Sequence, residues 1–273
     1  MSQPPLTDGR AVTFLDLAAR KRAAQKIVVL TCYDALFARL LDDLADVLLV
    51  GDSVNQVLAG HETTLSATLD QMIYHAASVR RGTRRALVVV DMPFLTYQIS
   101  AAEAVRNAGR ILQESNAHGV KVEGGRYLGP TIEAIVKAGI PVMGHLGLTP
   151  QSVNTLGGYR VQGREEAVAK GLIEDARAVE AAGAQAIVLE LVPTALAQRI
   201  TAALTIPTIG IGAGPECDGQ VLVLHDMLGL NEGFAPKFLK HYARLADTVR
   251  DAARQFGAEV RDGSYPGKDH SFE

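Results

Sequence analysis

Short apolar runs that end in polar or glycine-rich residues recur along the chain. They are VLLVGDS (47–53), ALVVVDMPF (86–94), GVKVEGG (119–125), PVMGHLGLTP (141–150), AIVLELVP (186–193) and TIGIGAG (208–214). Each run has the length and the aliphatic content of a buried strand, and most are followed by a stretch with helical periodicity. Strands that alternate with helices predict a parallel sheet covered by helices.

The number of candidate strands favours a closed barrel over an open sheet. The predicted strands are 27–31, 47–50, 86–90, 119–122, one opening at 141–143, 186–189, 208–211 and 221–224. A (β/α)8 barrel typically takes roughly 250 residues, which suits this length. We therefore predict an α/β fold, a (β/α)8 TIM barrel that forms a single domain over residues 1–273, with a short N-terminal helix before the barrel.

The predicted helices fill the segments between and around these strands. They are 13–22, 35–44, 69–81, 101–114, 131–137, 165–182, 194–203 and 237–256. Thr13 is the expected N-cap of the first helix, with Asp16 completing an acidic capping box. Residues 1–10 are expected to form a loose arm and 260–273 a C-terminal tail, while 52–70 and 146–164 are expected to be loops over the barrel mouth.

Composition excludes several classes of function. The formal net charge of −3 offers no basic face for a nucleic acid. No segment approaches the roughly 20 apolar residues of a membrane-spanning helix, and the N-terminus lacks the form of a signal peptide. The two cysteines, Cys32 and Cys217, do not make a disulfide framework, so we expect a reducing compartment and a cytoplasmic location.

Polar residues at the ends of the predicted strands are the candidates for chemistry. A parallel barrel places the C-terminal ends of all its strands on one face, where active sites lie. Residues far apart in sequence are therefore expected to converge on one pocket. They are Asp52, Ser53, Asp91, Lys121, Glu123, His145 and Glu190.

Two aspartates, Asp52 and Asp91, each follow an apolar strand. Carboxylate oxygens are the ligands that a hard divalent cation prefers, and such a cation often keeps several waters. Each aspartate could instead cap the following loop or helix. Glu123 at a third strand end favours the metal site.

Lys121 and Glu123 lie two residues apart on a strand, so both side chains point either into the barrel or toward the helices. Inside a barrel they need partners such as a metal, a substrate or each other, and a purely structural ion pair is the alternative.

His145 is either a functional or a structural histidine. Glu190, after an apolar strand, is either a general base or the partner of an arginine. GIGAG (210–214) is a weak candidate for phosphate binding, with close packing as the alternative.

Twelve segments in order along the chain resemble the ketopantoate hydroxymethyltransferases. They are TCYD (31–34), VGDS (50–53), GHETTL (60–65), YHAASVRRG (74–82), DMPF (91–94), KVEGG (121–125), GHLGLTPQSV (144–153), GGYRVQGR (157–164), AGAQAIVLE (182–190), IPTIGIGAG (206–214), DGQVLVLHDMLG (218–229) and YPGKDHSF (265–272). The resemblance implies a (β/α)8 barrel, a Mg2+ cofactor and a homodecamer. It also implies transfer of a one-carbon unit from 5,10-methylenetetrahydrofolate to 3-methyl-2-oxobutanoate through a Mg2+-stabilised enolate. The products are 2-dehydropantoate, on the route to pantothenate and coenzyme A, and tetrahydrofolate.

The resemblance also implies a role for each candidate residue. Asp52 and Asp91 would bind both metal and substrate, and Glu123 would lie close to the metal through water. Ser53 would hold the substrate carboxylate. Lys121 would contact the oxo acid, His145 would contact the hydroxymethyl end, and Glu190 would be the catalytic base. Val54-Asn55-Gln56 replaces the Leu-Gly-Met expected in many members, beside the substrate.

Two other functions are compatible with these residues. One is a Mg2+-dependent lyase or mutase of the phosphoenolpyruvate mutase and isocitrate lyase kind, which usually carries a catalytic cysteine on a mobile loop. Neither cysteine of this chain falls in a predicted mouth loop. The other is a non-catalytic protein that binds a metabolite, against which the intact set of candidate residues argues.

Overall fold

The computed structural model describes residues 10–272, and the chain forms two compact units, Met1–Val223 and Leu224–Glu273. The arm predicted over residues 1–10 lies outside the described residues except for Arg10. Within the described range, no helix is both long enough and apolar enough to cross a membrane.

The first unit is the predicted closed barrel of parallel strands, each paired with its neighbours in sequence and the last with the first. Its strands are β1 (Ile27–Thr31), β2 (Val47–Val50), β3 (Leu87–Asp91), β4 (Gly119–Glu123), β5 (Val142–Gly147), β6 (Ala186–Glu190), β7 (Thr208–Ile211) and β8 (Gly219–Leu222). Its helices are α1 (Phe14–Arg22), α2 (Ala35–Leu41), α3 (Val54–Val57), α4 (Leu69–Gly82), α5 (Ala101–Ser115), α6 (Gly129–Lys137), α7 (Val153–Leu156), α8 (Glu166–Ala181) and α9 (Thr194–Ala203), with 3-10 turns at Arg126–Leu128 and Pro150–Ser152.

The barrel interior is filled by alternate residues of its strands. One buried apolar cluster contains residues of common parity from every strand except β4, for example Val47 and Leu49 of β2 and Ala186 and Val188 of β6. Because side chains alternate between the two faces of a strand, the next positions of the same parity also point inward. The inward rows therefore change from apolar to polar residues toward the C-terminal ends of the strands.

Helix α1 closes the opposite end of this cluster. Thr13 and Asp16 form the predicted capping box, in which the Thr13 amide donates to Asp16 Oδ2 at 2.8 Å. Phe14 and Leu17 belong to the same buried cluster as the barrel interior. Gly119 of β4 makes room for the ring, since a Cβ there would lie 2.8 Å from the Phe14 ring.

The second unit contains α10 (Leu224–Met227), α11 (Leu245–Asp262) and a 3-10 turn at Lys268–His270. None of the residues of α11 is buried within the chain. The Phe256 ring packs edge-on against Tyr265, with ring centroids 5.4 Å apart.

Two predicted elements were displaced along the chain. The eighth strand was expected at 221–224 but runs from Gly219, which pairs with Ile27, and Leu224 instead begins a helix. The final helix was expected at 237–256 but begins at Leu245, because the Tyr242 and Leu245 amides donate to carbonyls at the end of α10 rather than within a helix. That helix also extends to Asp262, into the predicted tail.

Candidate active site

The inward rows of four neighbouring strands end in charged or titratable side chains. Asp91 ends β3, Lys121 and Glu123 lie on β4, His145 lies on β5, and Glu190 ends β6. The register sets Asp91 beside Lys121, and Glu123 beside His145. Parallel pairing and common parity thus bring the predicted residues together inside the barrel, at the C-terminal ends of the strands.

Lys121 lies at the centre of this cluster. Its Nζ is 3.1 Å from Asp91 Oδ1, 3.7 Å from Glu123 Oε1 and 3.2 Å from His145 Nδ1. Burial lowers the pKa of Lys121, but the nearby carboxylates of Asp91 and Glu123 outweigh burial and raise it above its usual range. The ammonium group therefore stays charged. Two placements were predicted for Lys121 and Glu123, inside the barrel or toward the helices, and the structure shows the first.

His145 lies between two glutamates. Its Nδ1 is 3.2 Å from Glu123 Oε1, and its Nε2 is 3.3 Å from Glu190 Oε2. Burial and Lys121 lower the pKa of His145, but Glu123 and Glu190 outweigh them and raise it to about 9. The imidazole is therefore a cation near neutral pH, and histidine takes the place of the arginine considered as a partner for Glu190.

Asp52 and Ser53 join the cluster through the turn after β2. The Asp52 amide donates to Asp91 Oδ2 at 3.0 Å, and the Ser53 hydroxyl is 2.8 Å from the Tyr33 hydroxyl. A Cβ at Gly51 would lie 2.8 Å from Ser53 Oγ, so glycine lets this turn close. Burial raises the pKa of Asp52 well above its usual range, and the Asp91 and Glu123 carboxylates add to this effect.

The charges of the cluster fit a divalent cation. Four carboxyl groups (Asp52, Asp91, Glu123 and Glu190) face the cations of Lys121 and His145. Asp91 Oδ1 is buried and, despite the nearby Lys121, makes no hydrogen bond of normal geometry to another described residue. Oxygen ligands with surplus negative charge suit Mg2+. Among residues 10–272, no group of three or more His, Cys, Asp or Glu side chains has the arrangement of a metal site.

The two predicted mouth loops contact each other. Asn55 is buried after β2 and holds its own loop, since its Nδ2 donates to Thr63 O and Ser66 Oγ, both at 2.8 Å. Gln56 Nε2 reaches the second loop, 3.3 Å from the Tyr159 hydroxyl. The first predicted loop contains the short helix α3, and the second contains the turn at Pro150–Ser152 and the short helix α7.

Three residues that contact the cluster were missed by the sequence reasoning. They are Tyr33, Tyr97 and Gln151, of which Gln151 donates from Nε2 to Asp52 Oδ2 at 2.9 Å. Tyr33 and Gln151 fall inside segments that carry the family resemblance, but nothing local marks them as neighbours of the carboxylates.

The remaining candidate motifs are explained by packing. At Gly214 a Cβ would collide with the Thr194 side chain, and at Gly210 it would lie 3.0 Å from Cys217 Sγ, which supports close packing as the reason for GIGAG. Both cysteines are buried and free, and burial raises the pKa of the Cys32 thiol to about 12. Burial also raises the pKa of Cys217, so neither thiol suits nucleophilic catalysis.

The model of the ketopantoate hydroxymethyltransferase family matches residues 11–268 of this chain. The chain belongs to that family. Curated members named 3-methyl-2-oxobutanoate hydroxymethyltransferase include one from Geotalea uraniireducens, 55% identical with 95% of this chain and 98% of the relative covered. Another, from Chlorobaculum tepidum, is 50% identical with both chains fully covered. Family membership makes the chain a transferase and confirms the predicted resemblance.

Solved structures outside the family share the barrel. A 2,3-dimethylmalate lyase of the PEP mutase/isocitrate lyase superfamily is 18% identical, with a TM-score of 0.57 over 95% of this chain and 91% of that one. A phosphonopyruvate hydrolase complexed with oxalate and Mg2+ is 12% identical, with a TM-score of 0.61 over 95% and 93%. At these identities the likeness shows the fold alone, and the family match distinguishes this transferase from a lyase or mutase.

Proposed function

We propose that the chain transfers a hydroxymethyl group from 5,10-methylenetetrahydrofolate to 3-methyl-2-oxobutanoate, giving 2-dehydropantoate and tetrahydrofolate. The family assignment supports the reaction. The observation that carries the mechanism is the buried Lys121 ammonium, held among carboxylates within one cluster whose edge is Glu190. This cluster provides a fixed positive charge, an acid-base group and oxygen ligands for a metal in one place.

The oxo acid is bound by groups that match its two oxygen functions. The Ser53 hydroxyl, oriented by Tyr33, would donate a hydrogen bond to the substrate carboxylate. The Lys121 ammonium lies in the barrel interior and stabilises negative charge that develops on the ketone oxygen. Both groups are held before the substrate arrives, so little reorganisation is needed during the reaction.

Asp52 and Asp91 are the residues that would hold Mg2+, with Glu123 close by. Glu123 is already engaged by His145, Lys121 and the Gln151 amide, so it suits a contact through water better than direct ligation. Bound Mg2+ acts as a Lewis acid that stabilises negative charge on the oxo acid. In this proposal, Asp52 and Asp91 also contact the oxo acid, beside the metal.

Glu190 is the proposed base. Its side chain is 16% exposed, whereas the His145 side chain beside it is 3% exposed, so Glu190 lies at the open edge of the cluster. It takes the proton from C3 of the oxo acid, and the electron pair left on C3 forms the bond to the methylene carbon of the folate. Both bonds from that methylene carbon to folate nitrogens break, and water supplies the hydroxyl oxygen. The C3 proton and one proton of the water end on the two nitrogens of tetrahydrofolate. His145 lies next to the new hydroxymethyl group.

Proton NMR of 3-methyl-2-oxobutanoate in D2O with enzyme and Mg2+ tests this proposal. The C3 proton should exchange with solvent without folate, whereas 2-dehydropantoate should form only when 5,10-methylenetetrahydrofolate is added. Binding of the oxo acid without exchange would favour a non-catalytic protein. Cleavage of a related substrate without folate would favour a lyase.

Asp91→Asn should weaken Mg2+ binding and abolish most of the activity. The loss of affinity should exceed the roughly 10–100-fold that is typical when a residue hydrogen-bonded to a metal ligand is removed. The amide removes one of two charged ligands, while its size preserves the end of β3. Calorimetric titration with Mg2+ measures the change, and a thermal melt excludes unfolding.

Asp175→Asn is the matched control for Asp91→Asn, since Asp175 pairs with Arg126 outside the cluster. Its Mg2+ affinity should equal that of the wild type. An unchanged affinity in a folded Asp91→Asn protein contradicts the ligand assignment.

The homodecamer and the cytoplasmic location stay predictions. Light scattering after size-exclusion chromatography measures the first. A decamer elutes as a single species of ten chains, and a monomer or dimer contradicts the prediction.

A further inference from the structure

Gln151 contacts two of the three carboxylates proposed to lie at or near the metal. It lies in the turn at Pro150–Ser152 that follows β5, and it is 5% exposed. Its backbone amide donates to Glu123 Oε2 at 3.0 Å, and its side-chain Nε2 donates to Asp52 Oδ2 at 2.9 Å. One residue thus orients a carboxylate from β4 and another from the turn after β2.

The orientation of the Gln151 amide is determined by its partners. Nε2 also donates to the Met92 carbonyl at 3.0 Å, while Oε1 accepts from the Tyr97 hydroxyl at 2.7 Å and from Gln98 Nε2 at 3.2 Å. A flipped amide would face Oε1 toward the Asp52 carboxylate and the Met92 carbonyl, which are both acceptors. The donor side of the amide must therefore face Asp52.

Tyr97 holds the oxygen of the Gln151 side-chain amide. Its hydroxyl accepts from the Glu123 amide at 3.0 Å, and its own proton has two acceptors, Gln151 Oε1 at 2.7 Å and the Glu123 carbonyl at 3.2 Å. The shorter distance favours Gln151. The side chain is fully buried, so the hydroxyl cannot exchange its partners for bulk water.

We propose that Gln151 is a positioning residue that holds Asp52 and Glu123 in the arrangement that binds the divalent cation. The inference rests on the proposed metal role of Asp52. A neutral donor fixes a carboxylate without cancelling its charge, so the cluster keeps the negative charge that a cation needs. Outer-shell partners of this kind orient ligands and raise metal affinity.

Calorimetric Mg2+ titrations of the wild type, Gln151→Met and Gln98→Met test the inference. Methionine has nearly the volume of glutamine but cannot donate to Asp52, so the Kd for Mg2+ should rise by roughly 10–100-fold. Gln98→Met removes a hydrogen bond to the same amide without touching Asp52, and its Kd should stay within about twofold of the wild type.

The outcomes separate this inference from the proposed function. A wild-type protein that does not bind Mg2+ overturns both. A wild type that binds, with a folded Gln151→Met of equal Kd, overturns only the positioning role, because a merely structural glutamine changes the melting temperature and not the Kd. If Gln151→Met does not fold, Gln151→Asn replaces it. The shorter amide cannot keep both Tyr97 and Asp52 as partners, so its Kd should also rise, and an unchanged Kd overturns the inference.

Discussion

Glu190→Gln should slow the folate-independent exchange of the C3 proton of 3-methyl-2-oxobutanoate with D2O by roughly 10²–10⁴-fold. Glutamine is nearly isosteric and keeps the edge of the cluster polar, so Mg2+ and the oxo acid should bind almost normally. The amide cannot take up the proton. Proton NMR of the substrate measures the exchange rate, and the melting temperature is measured on the same preparation.

A purely structural Glu190 gives the opposite pattern. Its carboxylate lies 3.3 Å from His145 Nε2, and losing only this ion pair would lower the melting temperature and spare the exchange. Glu166→Gln is the matched control, since it removes a glutamate that pairs with Arg199 on the surface. Exchange at the wild-type rate in a stable Glu190→Gln protein would remove Glu190 as the base.

Much of the fold and the cluster was predictable because a strand has a period of two. Lys121 and Glu123 are two residues apart on one strand, so their side chains had to point the same way. In a barrel that direction is either into the interior or toward the surrounding helices. The ends of parallel strands also had to meet on one side. The convergence of Asp91, His145 and Glu190 on that side follows from these two rules.

The misplaced elements and missed residues depend on contacts that local patterns do not contain. The eighth strand takes its register from Ile27 at the start of the barrel, and α11 starts late because amides before it bond to α10. Gln151 and Asp52 are 99 positions apart, and nothing near either residue indicates that they form a hydrogen bond. Such pairs are set by packing of the folded barrel.

Lys121→Met should raise the KM for the oxo acid and lower turnover, with a loss in rate on the order of 10²–10³, as found when an oxyanion donor is removed. The ammonium lies 3.1 Å from Asp91 Oδ1 and, in the proposed mechanism, stabilises the negative charge on the ketone oxygen of the substrate. Methionine keeps most of the side-chain volume inside the barrel. Steady-state kinetics with varied oxo acid measure both parameters.

Mg2+ titration separates charge stabilisation of the substrate from loss of the metal. Removing a cation beside Asp91 and Glu123 makes the cluster more negative, so Mg2+ should bind Lys121→Met at least as tightly as the wild type. If turnover is slow while Mg2+ binding is intact, the fall in turnover rate is due to the missing ammonium group. Lys137→Met is the matched control, because Lys137 pairs with Glu133 on the surface and its loss should leave the kinetics unchanged. Near-normal kinetics in Lys121→Met would make Lys121 only a structural partner of the carboxylates.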